Sequence, residues 1–310
     1  MDLRQLRYYA RIVELESITA AAQALHVAQP SLSQHIANLE AELDTVLLQR
    51  SPLGVRPTDT GLVLYQHAKA VLRQVEEASA AVARTRETPS GHVTVGLPTS
   101  TSRVLALPLI DRVAQALPGV TLELIEASTY SLAESVATQR LDMAIAMEVR
   151  PRHGMRTVPL FAEELMLVGL PIEARQQAIS LAEAVSLPLL LPSFPNSVRV
   201  IVERACSEAG LPLTLVAETS AVSILLTCTR HGRGWTVLPW SALAEGNSVA
   251  PDIVGIPILD DTLRRRAALC VSAAAETSLA CQAVEHALVS LVRELIEGGR
   301  WRGARMRSAP

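Results

Sequence analysis

The sequence predicts an α/β protein in two parts: a small helical unit with a β-hairpin, then a longer domain of alternating strands and helices. Three observations predict this. Apolar residues recur at helical spacing through most of residues 2–82. From residue 92, short apolar runs alternate with helical patterns. Between the two regimes Pro89-Ser90-Gly91 breaks the chain as a hinge.

Length and composition bound the function. The 310 residues allow two or three domains, and 49% hydrophobic with 19% charged residues describes an ordinary globular chain. No run of about eighteen apolar residues suggests a membrane span. The first seventeen residues carry charge in every turn, unlike a secretory signal, so a cytoplasmic location with no membrane partner is expected. Net charge is −3, and residues 1–90 hold nine Arg and Lys against ten Asp and Glu. Global charge therefore neither favours nor excludes nucleic acid.

In the first unit, Leu3, Leu6, Tyr9 or Ala10, and Val13 mark a helix. Ser17 is a natural N-cap for a second helix through Thr19 and the alanines 20–22, whose small side chains allow close crossing. After His26-Val27-Ala28 a third helix opens at Gln29-Pro30, where a fixed φ suits the first turn. Leu32, Ile36, Leu39 and Leu43 form its apolar stripe. Ser31, Ser33, Gln34, His35 and Asn38 form the other face, with short or amide side chains able to bond base edges or phosphates in a major groove. Any amphipathic helix has such a face, so the neighbours matter. Residues 47–50 and 55–58 read as strands around a turn at Ser51-Pro52-Leu53-Gly54, a wing with Arg50 and Arg56 on its arms. Thr58 caps a long helix with Asp59 in its first turn. Along that helix Leu64, Ala68, Val71, Val75, Ala78 and Val82 form an a/d seam, open either to a second copy or to the chain's own body. These elements make a winged helix-turn-helix over residues 1–58 and a linker or dimerisation helix over 59–88.

The second part reads as two α/β lobes. Strands at 92–97, 120–126 and 142–147 alternate with helices at 102–117 and 131–140; a second set has strands at 187–191, 213–218 and 235–238 with helices at 197–209 and 221–230. Strands at 163–170 and 263–273 cross between the sets, and a helix at 277–296 closes the first. Lobe I is expected over 92–162 and 268–298, lobe II over 163–267, and a basic flexible tail over 299–310. Ligands in such folds sit beyond the carboxyl ends of strands. Those ends carry residues 98–102 and 192–197, rich in hydroxyls and opening helices, which suits a small anion. Such residues are also ordinary N-caps. Thr236 could line the cleft, and Trp235 could be a core anchor.

The run A-A-x-x-L-H-V-A-Q-P-S-L-S-Q-H-I-A-N-L-E-A-E-L, then L-L-x-R and P-T-D-T-G, resembles the LysR-type transcriptional regulators over residues 1–87. A-Q-P-S-L-S-Q and L-L-L-P-S are similar to the nitrogen-assimilation control branch. The resemblance implies a periplasmic-binding-protein-like effector domain, with Gln29, Pro30, Ser33 and Gln34 meeting bases and Arg50 and Thr58 near phosphates. Many members have Arg where Gln34 stands. It implies effector contacts at Ser100, Thr101, Thr129, Met147 and the segment Ser193, Phe194 and Asn196. Some members place Arg where Met147 stands, to hold an anion. Implied partners are double-stranded operator DNA, a small-molecule effector, RNA polymerase and further copies of the chain, as a dimer or a tetramer of two dimers.

Other classes remain to be weighed. A solute-binding protein would fit the second part alone, and a regulator could be redox-driven or need no effector. Cys206, Cys228, Cys270 and Cys281 show no C-x-x-C spacing, and Cys206 with Cys228 is the one pair that could sense oxidants. No P-loop, G-x-S-x-G or H-E-x-x-H occurs, and His231 and His286 are isolated, so no enzyme, metal or cofactor is expected.

Overall fold

The computed structural model describes residues 1–51, 54–82, 89–171, 178–245, 248–249 and 252–307, without the side chains of 50, 51, 73, 76–82, 245, 248 and 249. It divides into two units, Met1–Glu87 and Thr88–Pro310.

Side-chain caps start the first unit. Asp2 accepts from the Gln5 N–H at 2.8 Å, and Gln5 answers with a bond from the Asp2 N–H, opening α1 (Leu3–Leu15). Ser17 accepts from the Ala20 N–H at 3.2 Å and opens α2 (Ile18–Ala24). α3 (Gln29–Glu42) has no side-chain cap and begins with Pro30 in its first turn. The core joins Tyr9, Ile12, Ala21, Leu32, Ile36 and Leu39, and the buried alanines let the helices cross closely. Leu43 departs from the expected stripe: it is the C-cap of α3 and 39% exposed, because the helix ends before completing the turn that would bury it.

The wing is the antiparallel pair β1 (Leu48–Ser51) and β2 (Gly54–Pro57), in which Gln49 faces Arg56 and Arg50 faces Val55. Its turn residues Pro52 and Leu53 lie outside the described residues. Glu40 of α3 anchors it, accepting from the N–H groups of Leu47 and Leu48 at 2.8 and 3.1 Å. Thr58 caps α4 (Asp59–Val82) by accepting from the Gly61 N–H at 2.9 Å, and its hydroxyl donates to the Val46 carbonyl at 2.8 Å. Gly61 permits this junction. A Cβ there would stand 2.2 Å from the Leu47 carbonyl oxygen and 2.6 Å from the Tyr9 hydroxyl.

The second unit runs β3 (Gly91–Leu97), α5 (Thr99–Ala116), β4 (Val120–Glu126), α6 (Thr129–Ala137), β5 (Met143–Met147) and β6 (Met155–Gly169). It continues through α7 (Leu181–Ser186), β7 (Leu189–Pro192), α8 (Ser197–Glu208), β8 (Leu215–Thr219), α9 (Val222–Arg230) and β9 (Thr236–Pro239). A 3-10 turn (Trp240–Leu243) leads to the short pair β10 (Ala244–Glu245) and β11 (Ser248–Val249), then β12 (Val254–Pro257), β13 (Arg264–Ser272), α10 (Leu279–Glu297) and β14 (Ala304–Met306). In lobe I, β3 lies parallel between β4 and β5; in lobe II, β7 and β8 are parallel. The crossing strands β6 and β13 pair antiparallel from Met155–Ser272 to Glu164–Arg264. Beyond that, β6 carries β12 and β9. Separate apolar cores fill the lobes, around Val95, Leu105, Ile145 and Leu288 in the first, and Leu167, Leu191, Ile201 and Val237 in the second.

Three expectations change here. β6 begins at Met155, ahead of the expected Glu163, because residues 155–163 already pair with β13. α5 begins at Thr99 rather than Ser102, since Pro98 takes the extended N-cap position. The flexible basic tail is overturned over its described part. Trp301 is 1% exposed, its ring centroid 4.7 Å from that of Phe161, and β14 pairs with β6 from Ala304–Glu163 to Met306–Phe161. Burial of one large indole outweighs the glycine and arginine composition around it. Residues 308–310 lie outside the described residues.

Gly61→Ala should cost the first unit about 1–3 kcal/mol or more, since neither contacted atom lies at the end of a flexible chain. Urea denaturation measures it; an unchanged midpoint would show that the α4 junction tolerates a Cβ.

Candidate nucleic-acid interface and ligand cleft

On the first unit, Thr19, Gln29, Pro30, Ser31 and Gln34 are exposed, with Asn38 beside them. The Gln34 amide Nε2 donates to the Asn38 Oδ1 at 2.9 Å. Two expected members turn elsewhere. Ser33 is half-buried, its Oγ shut from solvent without a hydrogen-bond partner among the described residues. His35 packs edge-on against the Tyr8 ring at 5.2 Å, because Tyr8 of α1 fills the space beside it. Arg56 is exposed on β2; the Arg50 side chain lies outside the described residues. The Thr58 hydroxyl is committed to the α4 cap.

The seam on α4 divides. Ala68 is buried, and Leu64 packs against the unit's own core, because the start of α4 lies on α1. Val71 is 37% exposed and Val75 is half-buried, while Leu62 and Val63 are also exposed. The side chains of Ala78 and Val82 lie outside the described residues.

In the second unit, the carboxyl ends of β3 and β9 meet at a buried ion pair. Arg265 bonds Glu163 Oε2 through Nε and Nη2 at 3.0 and 2.7 Å. Its Nη2 also donates to Ser100 Oγ at 2.7 Å and to Ser241 Oγ at 3.2 Å. Glu163 Oε1 accepts from the Trp301 indole N–H at 3.0 Å and the Ser241 N–H at 3.2 Å. Sequence reasoning missed Glu163, Ser241, Arg265 and Trp301. The available signal was the opposite charge on the two crossing strands, Glu163-Glu164 on one and Arg264-Arg265-Arg266 on the other.

Ser100 and Thr101, expected ahead of the helix with their hydroxyls toward a cleft, lie buried in the first turn of α5. The Ser100 hydroxyl serves Arg265, while Thr101 Oγ1 is buried without a partner among the described residues. Thr129 Oγ1 accepts from the Met147 N–H at 3.3 Å, and the Met147 side chain fills the lobe I core. After β7, Asn196 caps α8 by accepting from the Val198 N–H at 2.9 Å, and the Ser193 N–H reaches the Thr219 carbonyl at 3.2 Å. Phe194 is 54% exposed, with the Arg199 guanidinium 4.9 Å from its ring centroid. Thr236 is fully buried at the start of β9, whose carboxyl end is Pro239, and its Oγ1 has no hydrogen-bond partner among the described residues. The Trp235 ring covers Gly169, where a Cβ would meet it at 2.0 Å, so Trp235 is an anchor.

The first unit matches the bacterial regulatory helix-turn-helix protein of the lysR family over residues 3–62. The second matches the LysR substrate binding domain over residues 86–293. The chain belongs to the LysR family. Members of this LysR family are DNA-binding transcriptional regulators with an effector-binding domain, and they are not enzymes. The chain is 36% identical over 293 residues to the nitrogen assimilation regulatory protein nac of Klebsiella aerogenes, covering 94% of this chain and 95% of that one. To nac of Escherichia coli K12 it is 34% identical, covering 97% and 99%. A full-length OxyR variant from Pseudomonas aeruginosa has the same fold, with a TM-score of 0.72 at 23% identity, covering 100% of this chain and 99% of that one. CbnR complexed with its target DNA gives 0.69 at 21% identity, covering 95% and 99%.

In this LysR-family chain the cysteines sit in poor positions for redox sensing. Cys206, Cys270 and Cys281 are buried and Cys228 is half-buried, all as free thiols. Cys206 belongs to the main lobe II core and Cys228 packs against a separate cluster. Burial pushes the Cys270 thiol up to about 11 and raises Cys206 as well. Among the described residues no group of three or more His, Cys, Asp or Glu is placed to hold a metal, and no helix is long and apolar enough to cross a membrane.

Two outcomes are expected. At pH 8 native Cys270 stays protonated, since its raised pKa delays the thiolate until well above that pH; mass spectrometry should find it alkylated only after denaturation. Glu163→Gln leaves the Arg265 charge buried without its counter-ion and should cost about 3–5 kcal/mol. Unfolding of the second unit measures this, and a loss below about 1 kcal/mol would mean that water reaches the pair.

Proposed function

We propose that this LysR-family regulator reads operator DNA with Thr19, Gln29, Pro30, Ser31 and Gln34, while Arg50 and Arg56 on the wing hold phosphates. The observation that carries the reading is the exposed polar face at the start of α3, with the exposed Arg56 on the wing of the same unit. Short polar side chains and amides at a helix N-terminus suit base edges, and a wing cation suits the backbone. Two copies pair through the later part of the α4 seam, from the exposed Val71 through Val75, Ala78 and Val82, so that paired half-sites meet paired readers. Work in the cytoplasm, contact with RNA polymerase and action without enzymatic chemistry belong to the same proposal. Similarity to the two nac proteins over nearly the whole chain supports nitrogen-assimilation genes as targets.

A small ligand binds between the lobes, at the first turn of α5 and the Ser193–Asn196 segment. α5 has no side-chain cap, so its leading N–H groups are available, and the Thr101 hydroxyl lacks a partner among the described residues. The cation beside them, Arg265, is neutralised by Glu163. An anion would therefore be held by N–H groups and hydroxyls rather than by a free charge. The internal bond from Arg265 to Ser100 supports a second reading, a regulator whose cleft needs no effector. A thermal-shift screen of amino acids, organic acids and nitrogen metabolites separates the two. A true effector at a hundredfold excess over Kd stabilises the second unit by about 2.7 kcal/mol. No shift with any compound supports the second reading.

Gln34→Ala should lower affinity for the operator by about 1–3 kcal/mol and leave random DNA nearly unaffected. Arg56→Ala should weaken both equally and make the salt dependence shallower. Anisotropy titrations at several salt concentrations read both, and uniform loss with Gln34→Ala would remove Gln34 from the groove.

A further inference from the structure

Gln34 can meet a base edge in two ways, because its amide carries an acceptor on one side and a donor on the other. A free glutamine turns over readily, since the terminal torsion is broad and nearly two-fold. In this chain it has a partner. Gln34 and Asn38 are both exposed one helical turn apart on α3, and Nε2 of Gln34 donates to Oδ1 of Asn38 at 2.9 Å. The neighbouring His35 ring is held against Tyr8 instead.

We infer that Asn38 is a positioning residue that orders the Gln34 side chain and holds its bidentate amide edge toward DNA, favouring adenine at that position. The primary amide has two N–H bonds pointing in different directions. Bidentate contact with adenine uses the carbonyl oxygen and the N–H on the same side of the amide, matched to the N6 donor and the N7 acceptor. The remaining N–H points back along the helix surface, where Asn38 lies four residues on. Accepting that proton satisfies the group that the base does not use and leaves the bidentate edge facing outward. Turning the Gln34 amide over by itself would set its oxygen against the Asn38 oxygen, two acceptors with no proton between them, so the two exposed amides turn only as a pair.

The inference rests on Gln34 lying in the groove, and the test separates the two. The full-length chain and its variants are selected against randomised duplexes and the bound pools sequenced. Gln34→Ala should abolish an adenine preference at one base pair of each half-site. Asn38→Ala should weaken that same preference by about two- to tenfold, the fold-change of one neutral hydrogen bond, with the melting temperature unchanged. Asn38→Asp keeps an acceptor and should retain the preference, while its charge lowers affinity for every sequence. In the Gln34→Ala background, Asn38→Ala should change no base preference at all. An unaltered preference in Asn38→Ala overturns the inference, as does a preference lost equally in Asn38→Asp. So does a change at a neighbouring base pair that persists without Gln34, which would make Asn38 a reader in its own right. If Gln34→Ala itself leaves every base preference intact, Gln34 is outside the groove, and the inference fails with that placement.

Discussion

Glu163 and Arg265 face each other on the two strands that carry the chain between the lobes, both almost entirely withdrawn from water. Removing two charges from solvent is costly, and their attraction repays it only when the remaining donors and acceptors are also met. Here each group that meets them comes from a different part of the second unit. Ser100 belongs to lobe I, Ser241 follows β9, and Trp301 arrives from the C-terminal segment. Net stabilisation from such a pair is small. Its directionality matters more: apolar side chains could fill the same space, but they would not fix the α5 terminus, the crossing strands and the indole in one relative geometry.

This arrangement bears on how a signal could be handled. A ligand entering beside Ser100 meets a hydroxyl already tied to Arg265, and through Arg265 to both crossing strands. Any change in that bond is felt where the lobes join. Coupling of this kind would need no long chain of contacts, because Ser100 and the joint share one guanidinium. The first unit is organised differently. Its helices are held by an apolar core and local caps, and Glu40 ties the wing to the end of α3, so its reading face does not depend on a buried charge.

Much of this was legible in the sequence because it is local. The caps at Ser17 and Thr58, Pro30 at the start of α3 and the alternation of strands and helices after Gly91 all depend on residues a few positions apart. The misjudged positions depend on distant ones. Ser100 looked like an open hydroxyl because its partner is 165 residues away, and Trp301 looked solvated because its acceptor is 138 residues away. His35 and Ser33 lie on the polar side of a helical wheel, yet His35 packs on Tyr8 and the Ser33 Oγ is shut from solvent. Composition marked the last residues as tail, whereas a single indole decides where they go.

Trp301 also ties the folding of the second unit to the order in which the polypeptide is made. The first unit has an apolar core of its own, so it can begin to fold while the ribosome is still translating the rest. Lobe I cannot finish so early. Glu163 is synthesised long before Arg265, and longer still before the indole that meets its second oxygen. Until then a carboxylate destined for burial must remain hydrated, which keeps the crossing strands from closing over it. A nascent chain would thus hold a finished DNA-reading head on an unfinished sensor. A ribosome stalled before Trp301 would leave that half-built sensor exposed to chaperones and proteases.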